Sequence, residues 1–391
     1  MPSFTELVKE MAVYATALDE HLLSSGRSQT SFDEDTMEDL PPEMEEMHYN
    51  LIDTAQTIKC LALGTRGILW DILFSVTTYK PLTSPKPRAN FIQYVDEMAL
   101  RAIYHYKLAQ AVPLSGSTTF AEIAQASGLR EDLVERFIRQ AMCSHIFTED
   151  VPGRVRHTCT SRLLATNPDA HDAVGMMTCD LSPAGMQTLA ALEKYPNSEE
   201  KSETGWSLHT EPGISPFEFM AKNPERARRF GAGMRYFSSG QHWDLGHLAR
   251  GYPWAALDHP GAVFVDVGGG HGTVSQYLAR EAKHLEFVIQ DLPGTVEAGK
   301  KILPDDLRSR VRFMEHDFFT EQPVRGADVY FFRWILHNWS DGYCRKILRA
   351  LIPALKKGAR VLVYEYVLVD GPETRVSQKQ PRYAMEFASS Y

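Results

Sequence analysis

Five groups of residues between positions 266 and 365 have types and spacing suited to chemistry. The first is Asp266-Val267-Gly268-Gly269-Gly270-His271-Gly272, a glycine turn after an apolar strand pattern and before a helical one. Glycines there let a ligand approach the backbone at the switch point of a sheet. The second is Asp291, closing EFVIQD, where an acid takes ribose hydroxyls. The third is Asp317-Phe318, a carboxylate for an exocyclic amine and a ring to stack an adenine. The fourth is His337 in RWILHNWSD, flanked by Trp334 and Trp339, with Asp341 able to begin the next helix. The fifth is Glu365 in YEYVLV, which on its own reads equally as a polar residue at a strand end. Each group alone is a weak signal; three ligand-binding groups in order on successive strands are a strong one.

The hydride-transfer fingerprint GxGxxG is not met, because Gly268-x-Gly270 needs a third glycine at 273, where Thr273 stands. An acid immediately before the glycines also fits poorly beside a pyrophosphate. Asp266 suits a ligand with an amino acid end, by orienting the turn or by receiving a cationic amino group through water. His337 has a bland reading as a capping or packed histidine. Its place after the fourth strand, at the carboxyl edge where ligands sit, favours a functional one. The other histidines form no HxxxH or His/Cys cluster, which speaks against metal catalysis.

The elements that must position these residues follow from periodicity. From Gly261, strands alternate with helices, the pattern of an α/β fold with a parallel, doubly wound, Rossmann-like sheet. ARVLVYEYVLV reads as a buried strand, and YCRKILRALIPALKKG as a helix with Cys344, Ile347, Leu348, Leu351 and Leu355 on one face. Upstream, Thr119 and Glu122 form a capping box, Gly128 ends that helix, and Leu133, Phe137 and Ala141 mark the face of a second. HIFTEDVPGRVRHTCTS then reads as two short strands about Pro152-Gly153, completing a winged-helix order. Four regions result. Residues 1–110 are helical, with a solvated acidic loop in SSGRSQTSFDEDTMEDLPPEMEEM; residues 111–166 hold the winged helix; 167–258 form a helical connection; 259–391 form the sheet domain. Within the connection, FEFMAKNPERARRFGAGMRYF reads as core packing or as a ligand wall, Phe230 and Met234 being its wall candidates.

Composition removes other classes. The 391 residues are 43% hydrophobic and 23% charged, as in an ordinary globular chain of two or three domains. The formal charge of −9, and the balanced charges of residues 130–140, lack the basic footprint of nucleic-acid binding. Five cysteines without a CxxC pair indicate a reducing, cytoplasmic setting. The N-terminus carries Glu6, Lys9 and Glu10 where a signal peptide needs an apolar run. LALGTRGILWDILFSV, interrupted by Arg66 and Asp71, reads as a buried or dimer-interface helix and not a membrane span.

Together VDVGGGHG, QDLP, HDFF and RWILHNWSD resemble the cation-independent, S-adenosylmethionine-dependent O-methyltransferases of the caffeate and flavonoid type, in their fungal secondary-metabolite variant. The winged helix belongs to the same resemblance, which covers roughly residues 50–370; RWILHNWSD is its most specific string. The resemblance implies S-adenosyl-L-methionine as cofactor, with Gly268 and Gly269 under its methionine part. Asp291 takes the ribose, Asp317 and Phe318 the adenine, and Arg333 is the basic residue nearby. It implies His337 as general base, Glu365 as the acid orienting it, and a homodimer built through the helices before residue 110. The implied substrate is a small aromatic or polyketide with a phenolic hydroxyl, walled by Trp334, Trp339, Phe230 and Met234. A phenol ionises near pH roughly 10, and a neutral imidazole can take its proton as the methyl transfers.

The family continues after this strand with a helix, another strand and an antiparallel partner, and with a second acid beside the histidine. Tyr391 stands 26 residues past Glu365. The expectation is a C-terminally incomplete chain with an exposed sheet edge and weak or no activity. Two other functions stay open: a non-methylating relative using the pocket for dehydration or pericyclic chemistry, and a non-enzymatic binding protein. Retention of His337 and Glu365 favours methyl transfer.

Overall fold

Ser3 and Glu6 cap each other's backbone and start the helix Phe4–Ser24, which buries Leu7, Leu18 and Leu22. The structure, a computed structural model, describes residues 2–27, 40–77, 88–239 and 245–365. Residues 28–39, half of the acidic stretch expected as a loop, lie outside the described residues. Its end does not: Glu43 and Glu45 sit in the first turn of the helix Pro42–Thr77, where acids complement the helix dipole. That helix is broken at Gly64 (φ 64°, ψ −178°), inside the apolar run. Apart from residues 76–79, the chain divides into two compact units that meet between Asn167 and Pro168.

In the first unit, the helix Arg88–His105 packs against Glu131–Cys143. The Thr119–Glu122 capping box starts Phe120–Ser127, and Gly128 ends it at φ 74°. The strands β1 (Thr118–Thr119), β2 (Phe147–Val151) and β3 (Arg154–His157) form an antiparallel sheet in the order β1-β3-β2. The buried face of Glu131–Cys143 is Val134, Ile138 and Ala141; the expected Leu133 and Phe137 lie at its edge, half-buried.

In the second unit, short helices run from Pro168 to Gly251. Pro168–Gly175 and Pro224–Ser238 pack along one another. Buried Asp172 and Asp180 pair with Arg228 (2.5 Å) and with Arg226 and Arg229, while Asp169 pairs with Arg235. Among the described residues five parallel strands follow: β4 (Val263–Val267), β5 (Glu286–Asp291), β6 (Val311–Glu315), β7 (Val329–Arg333) and β8 (Arg360–Tyr364). Their order β6-β5-β4-β7-β8 puts the switch point between β4 and β7. Phe264, Phe287, Ile289 and Phe331 fill one face; Val265, Val288, Tyr330 and Phe332 fill the other. Burial on both faces is what a doubly wound sheet requires.

Two readings made from periodicity alone, a buried β8 and a five-residue apolar face on the last described helix, are narrowed here. β8 is not buried: it is the edge strand of the described sheet, with Val361 and Val363 exposed and only Leu362 and Tyr364 packed on the core. The helix Asp341–Leu351 buries Ile347 and Leu351, which lie little more than one turn apart on one face; Leu348 is exposed, and Leu355, beyond the helix, is exposed too. Residues 366–391 lie outside the described residues, and with them the expected break of the family pattern.

Candidate functional site

The carboxyl ends of β4, β5, β6 and β7 bring the chemistry-bearing groups to one sheet edge. After β4 the backbone reverses at Gly268 (φ 71°) and Gly270 (φ 59°). A β-carbon at Gly268 would stand 2.5 Å from Ile335 Cδ1 and 3.6 Å from Phe318 Cε1, so this glycine marks where three strand ends converge. At Gly270 a β-carbon would meet nothing within 4 Å, so that face of the loop is open. The N–H groups of Gly268 and Gly269 both donate to the Gln290 carbonyl, at 2.8 and 3.0 Å. The close helix–strand packing sought at position 273 is served one residue earlier: a β-carbon on Gly272 would collide with Ile289 at 2.3 Å.

Asp291 closes β5 with both carboxylate oxygens in use. Oδ2 accepts from Gly270 N at 2.9 Å and Oδ1 from Leu292 N at 2.8 Å. The Thr295 hydroxyl is a third donor to this carboxylate, which leaves one lone pair for a ligand. Burial pushes its pKa up, against those two amides. Asp266 is fully buried behind the glycines; burial raises its pKa to about 6, opposed by the hydroxyl of Ser275, which donates to Oδ2 at 2.6 Å. Asp317 is exposed after β6 and accepts from Phe319 N at 3.0 Å. Phe318, beside it, is half-buried.

β7 delivers Arg333. Its Nε and Nη2 are buried and have no hydrogen-bond partner among the described residues. The guanidinium lies 4.4 Å from the Trp334 ring centroid and 5.9 Å from that of Tyr364. Burial lowers its pKa, and the charges of Asp266 and Glu365 act in the opposite sense. Trp334 takes φ 58°, uncommon for a large side chain, and turns the chain into the 3₁₀ piece Leu336–Asn338.

That piece carries His337. Its Nδ1 is 2.5 Å from Oε2 of Glu365, at the end of β8. The other oxygen, Oε1, accepts from Ile335 N at 2.7 Å and from Leu336 N at 3.0 Å. With Nδ1 donating to the carboxylate, Nε2 is left as the basic nitrogen. Trp339 stands inside an aromatic group: it stacks on Phe217 at 5.8 Å and meets Phe318, Phe319 and Tyr343 at 4.7 to 5.9 Å. Phe230 and Met234 are half-buried on Pro224–Ser238 and are not among the residues these contacts join to His337.

The structure therefore gathers Gly268, Gly269, Asp291, Phe318, Arg333, Trp334, His337, Trp339 and Glu365 at the switch-point edge, with Asp317 at its rim. The sequence reading missed Ile335, which seals the glycine turn, and Glu199. Glu199 Oε2 accepts from Gly342 N at 3.1 Å, just beyond the histidine loop. It lies in the polar break YPNSEEKSETGW, where nothing local sets it apart from its neighbours.

The site fits S-adenosylmethionine on its own geometry: an open glycine face, a half-buried acid with a lone pair to spare, and a buried guanidinium with two unused donors. Comparisons with known proteins agree. A model of the O-methyltransferase domain matches residues 198–389, and one of the O-methyltransferase dimerisation domain matches residues 90–167. The chain is similar to O-methyltransferase AMT9 of Alternaria alternata, with 42% identity over 71% of this chain and 65% of that protein. It therefore spans slightly less than two thirds of that relative's length. It is 34% identical to a chlorophenol O-methyltransferase of Trichoderma longibrachiatum over 89% of this chain and 72% of that one. It is also 34% identical to O-methyltransferase aoiF of Aspergillus oryzae, over 93% and 84%. Among solved structures, OxaC superposes with a TM-score of 0.67 at 20% identity, covering 97% of this chain and 88% of that chain. LepI in complex with SAM gives 0.67 at 20% identity, covering 88% and 90%. On its sequence matches, this chain belongs to the O-methyltransferase family, whose members use S-adenosylmethionine.

Proposed function

We propose that the chain methylates a phenolic hydroxyl on a small aromatic or polyketide secondary metabolite, with His337 as general base. The observation that carries this reading is the 2.5 Å contact between His337 Nδ1 and Glu365 Oε2, which leaves Nε2 to accept a proton. S-adenosylmethionine, when bound, supplies an electrophilic methyl group on a sulfonium. The chain's own part is to orient and to move one proton. As the substrate oxygen gains its methyl, its proton passes to Nε2, and the Glu365 carboxylate balances the imidazolium. Gly268, Gly269 and Arg333 would hold the cofactor's amino acid end, Asp291 its ribose, and Asp317 and Phe318 its adenine. Trp334 and Trp339 supply flat apolar surface for the ring, and Phe230 and Met234 complete the proposed wall. A relative named for chlorophenol methylation supports a phenol as acceptor. The dimerisation-domain match supports a homodimer, and five free cysteines support a reducing, cytoplasmic setting. No helix among the described residues is long and apolar enough to cross a membrane.

The test is His337→Ala assayed with labelled cofactor against a panel of phenols. The expected result is a rate loss of about 10²–10⁴ with cofactor affinity unchanged. A variant that methylates at the parental rate would remove His337 from this role.

A further inference from the structure

The loop carrying His337 is anchored at both ends by acids. Glu365 holds its start through the amides of Ile335 and Leu336. Its end runs into the helix Asp341–Leu351, whose cap residue Ser340 makes no side-chain capping bond. The first amides of a helix need acceptors from outside it. Here Glu199 provides one from 143 residues away: its Oε2 accepts from Gly342 N at 3.1 Å. The Ser340 hydroxyl, turned from its own helix, donates to Glu199 O at 3.2 Å.

The neighbours of Glu199 extend the attachment. Glu200 Oε2 accepts from the Tyr343 hydroxyl at 2.7 Å, which helps raise that phenol's pKa to about 12. Lys201 Nζ pairs with Glu218 at 3.1 Å on Pro216–Lys222, the helix whose Phe217 stacks on Trp339. Residues 199–201 thus join the end of the histidine loop to one wall of the aromatic group. The loop between Arg333 and Ser340 has a left-handed residue and one short 3₁₀ turn, so its own hydrogen bonds hold it poorly. Its position depends on what grips its ends.

We propose that Glu199 is a positioning residue: a cap supplied from the distant loop between Thr188–Lys194 and Gly205–His209, it fixes the end of the 334–340 loop and so holds His337 opposite Glu365. This rests on His337 being the base. It assigns a part in the reaction to a residue that touches neither substrate nor cofactor.

Two readouts test it in Glu199→Ala and Glu199→Gln. The first is hydrogen exchange of peptides spanning 334–343, with β4 and β5 peptides as the control for global unfolding. The second is kcat and KM for a phenol acceptor, with cofactor affinity by calorimetry. In Glu199→Ala, exchange in 334–343 should rise about tenfold, as the loss of one cap implies. kcat should fall by about tenfold or more, since small misplacements are costly, with KM and cofactor affinity near parental. Glu199→Gln keeps an acceptor oxygen and should recover most of kcat. Should Glu199→Ala not fold, Ser340→Asp in the same background restores a cap from within the loop and should rescue both folding and rate. Unchanged exchange at 334–343 overturns the proposal, and so does raised exchange with parental kcat. His337→Ala at the parental rate would instead refute the base assignment, while the exchange result still reports the cap.

Discussion

Glu365 serves two different partners at once: Oε2 stands 2.5 Å from Nδ1 of His337, while Oε1 takes the amides of Ile335 and Leu336. One carboxylate therefore sets both the ring's tautomer and the backbone turn that carries the ring. Removing the charge and removing the side chain should have separable effects.

Glu365→Gln keeps an oxygen for the two amides but presents an amide nitrogen to His337, which stabilises the wrong tautomer. We expect kcat to fall by about 10²–10⁴ with little change in melting. Glu365→Ala should lose as much activity and also about 1–3 kcal/mol of stability, because two partly buried amides lose their acceptor. Denaturation and methyl-transfer assays on both variants check this; equal stability loss in the two would refute the division of labour.

Asp291→Ala should weaken cofactor binding by about 10- to 100-fold, the range for a lost hydrogen bond to a charged group. It also frees the amides of Gly270 and Leu292, so Asp291→Asn should be milder. Calorimetry with S-adenosylhomocysteine measures both. Parental affinity in Asp291→Ala would exclude the residue from the site.

Asp266 gives a pH signature. Its folded pKa, about 6, lies above the ordinary value of 3.8, so between these values the folded chain holds a proton that the unfolded chain has lost. The stability it contributes is present below pH about 4 and is lost as pH rises through about 6. The loss amounts to about 3 kcal/mol at most. Denaturation at pH 4.5 and 7 should show this decline in the parent relative to Asp266→Asn, which lacks the titration. A cationic ligand favours the ionised acid, so cofactor affinity should rise over the same interval in the parent alone. Parallel pH profiles for parent and variant would contradict both statements.

Gly268→Ala places a β-carbon 2.5 Å from Ile335 Cδ1 in a left-handed conformation. We expect a loss of about 1–3 kcal/mol from strain and overpacking. A larger proportional loss of cofactor affinity should accompany it, because Ile335 also carries an amide held by Glu365. Gly270→Ala meets no atom within 4 Å and should cost only the backbone strain. Equal melting losses in the two variants would show that contact with Ile335 is unimportant.

What sequence alone determined was whatever depends on near neighbours. The alternation of strands and helices, the glycine turn after β4, the acids at strand ends and the Thr119–Glu122 cap each follow from spacings of a few residues. The candidate site was legible for the same reason, since a doubly wound sheet carries the ends of its strands to one edge. Burial was less legible. Leu362 and Val363 are both apolar neighbours in β8, and only the strand's place at the sheet edge makes Val363 exposed. Periodicity located the helix Asp341–Leu351, but which of its leucines is buried was set by which face packs on the sheet, so Leu351 joins Ile347 in the core and Leu348 does not. Glu199 was invisible for a stronger reason. Its partner amide is 143 residues away, and its neighbours Glu200 and Glu203 are chemically alike. A hydrogen bond between distant residues leaves no local spacing to read, so only the folded placement of residues 199–200 beside 340–343 decided which carboxylate would cap the histidine loop.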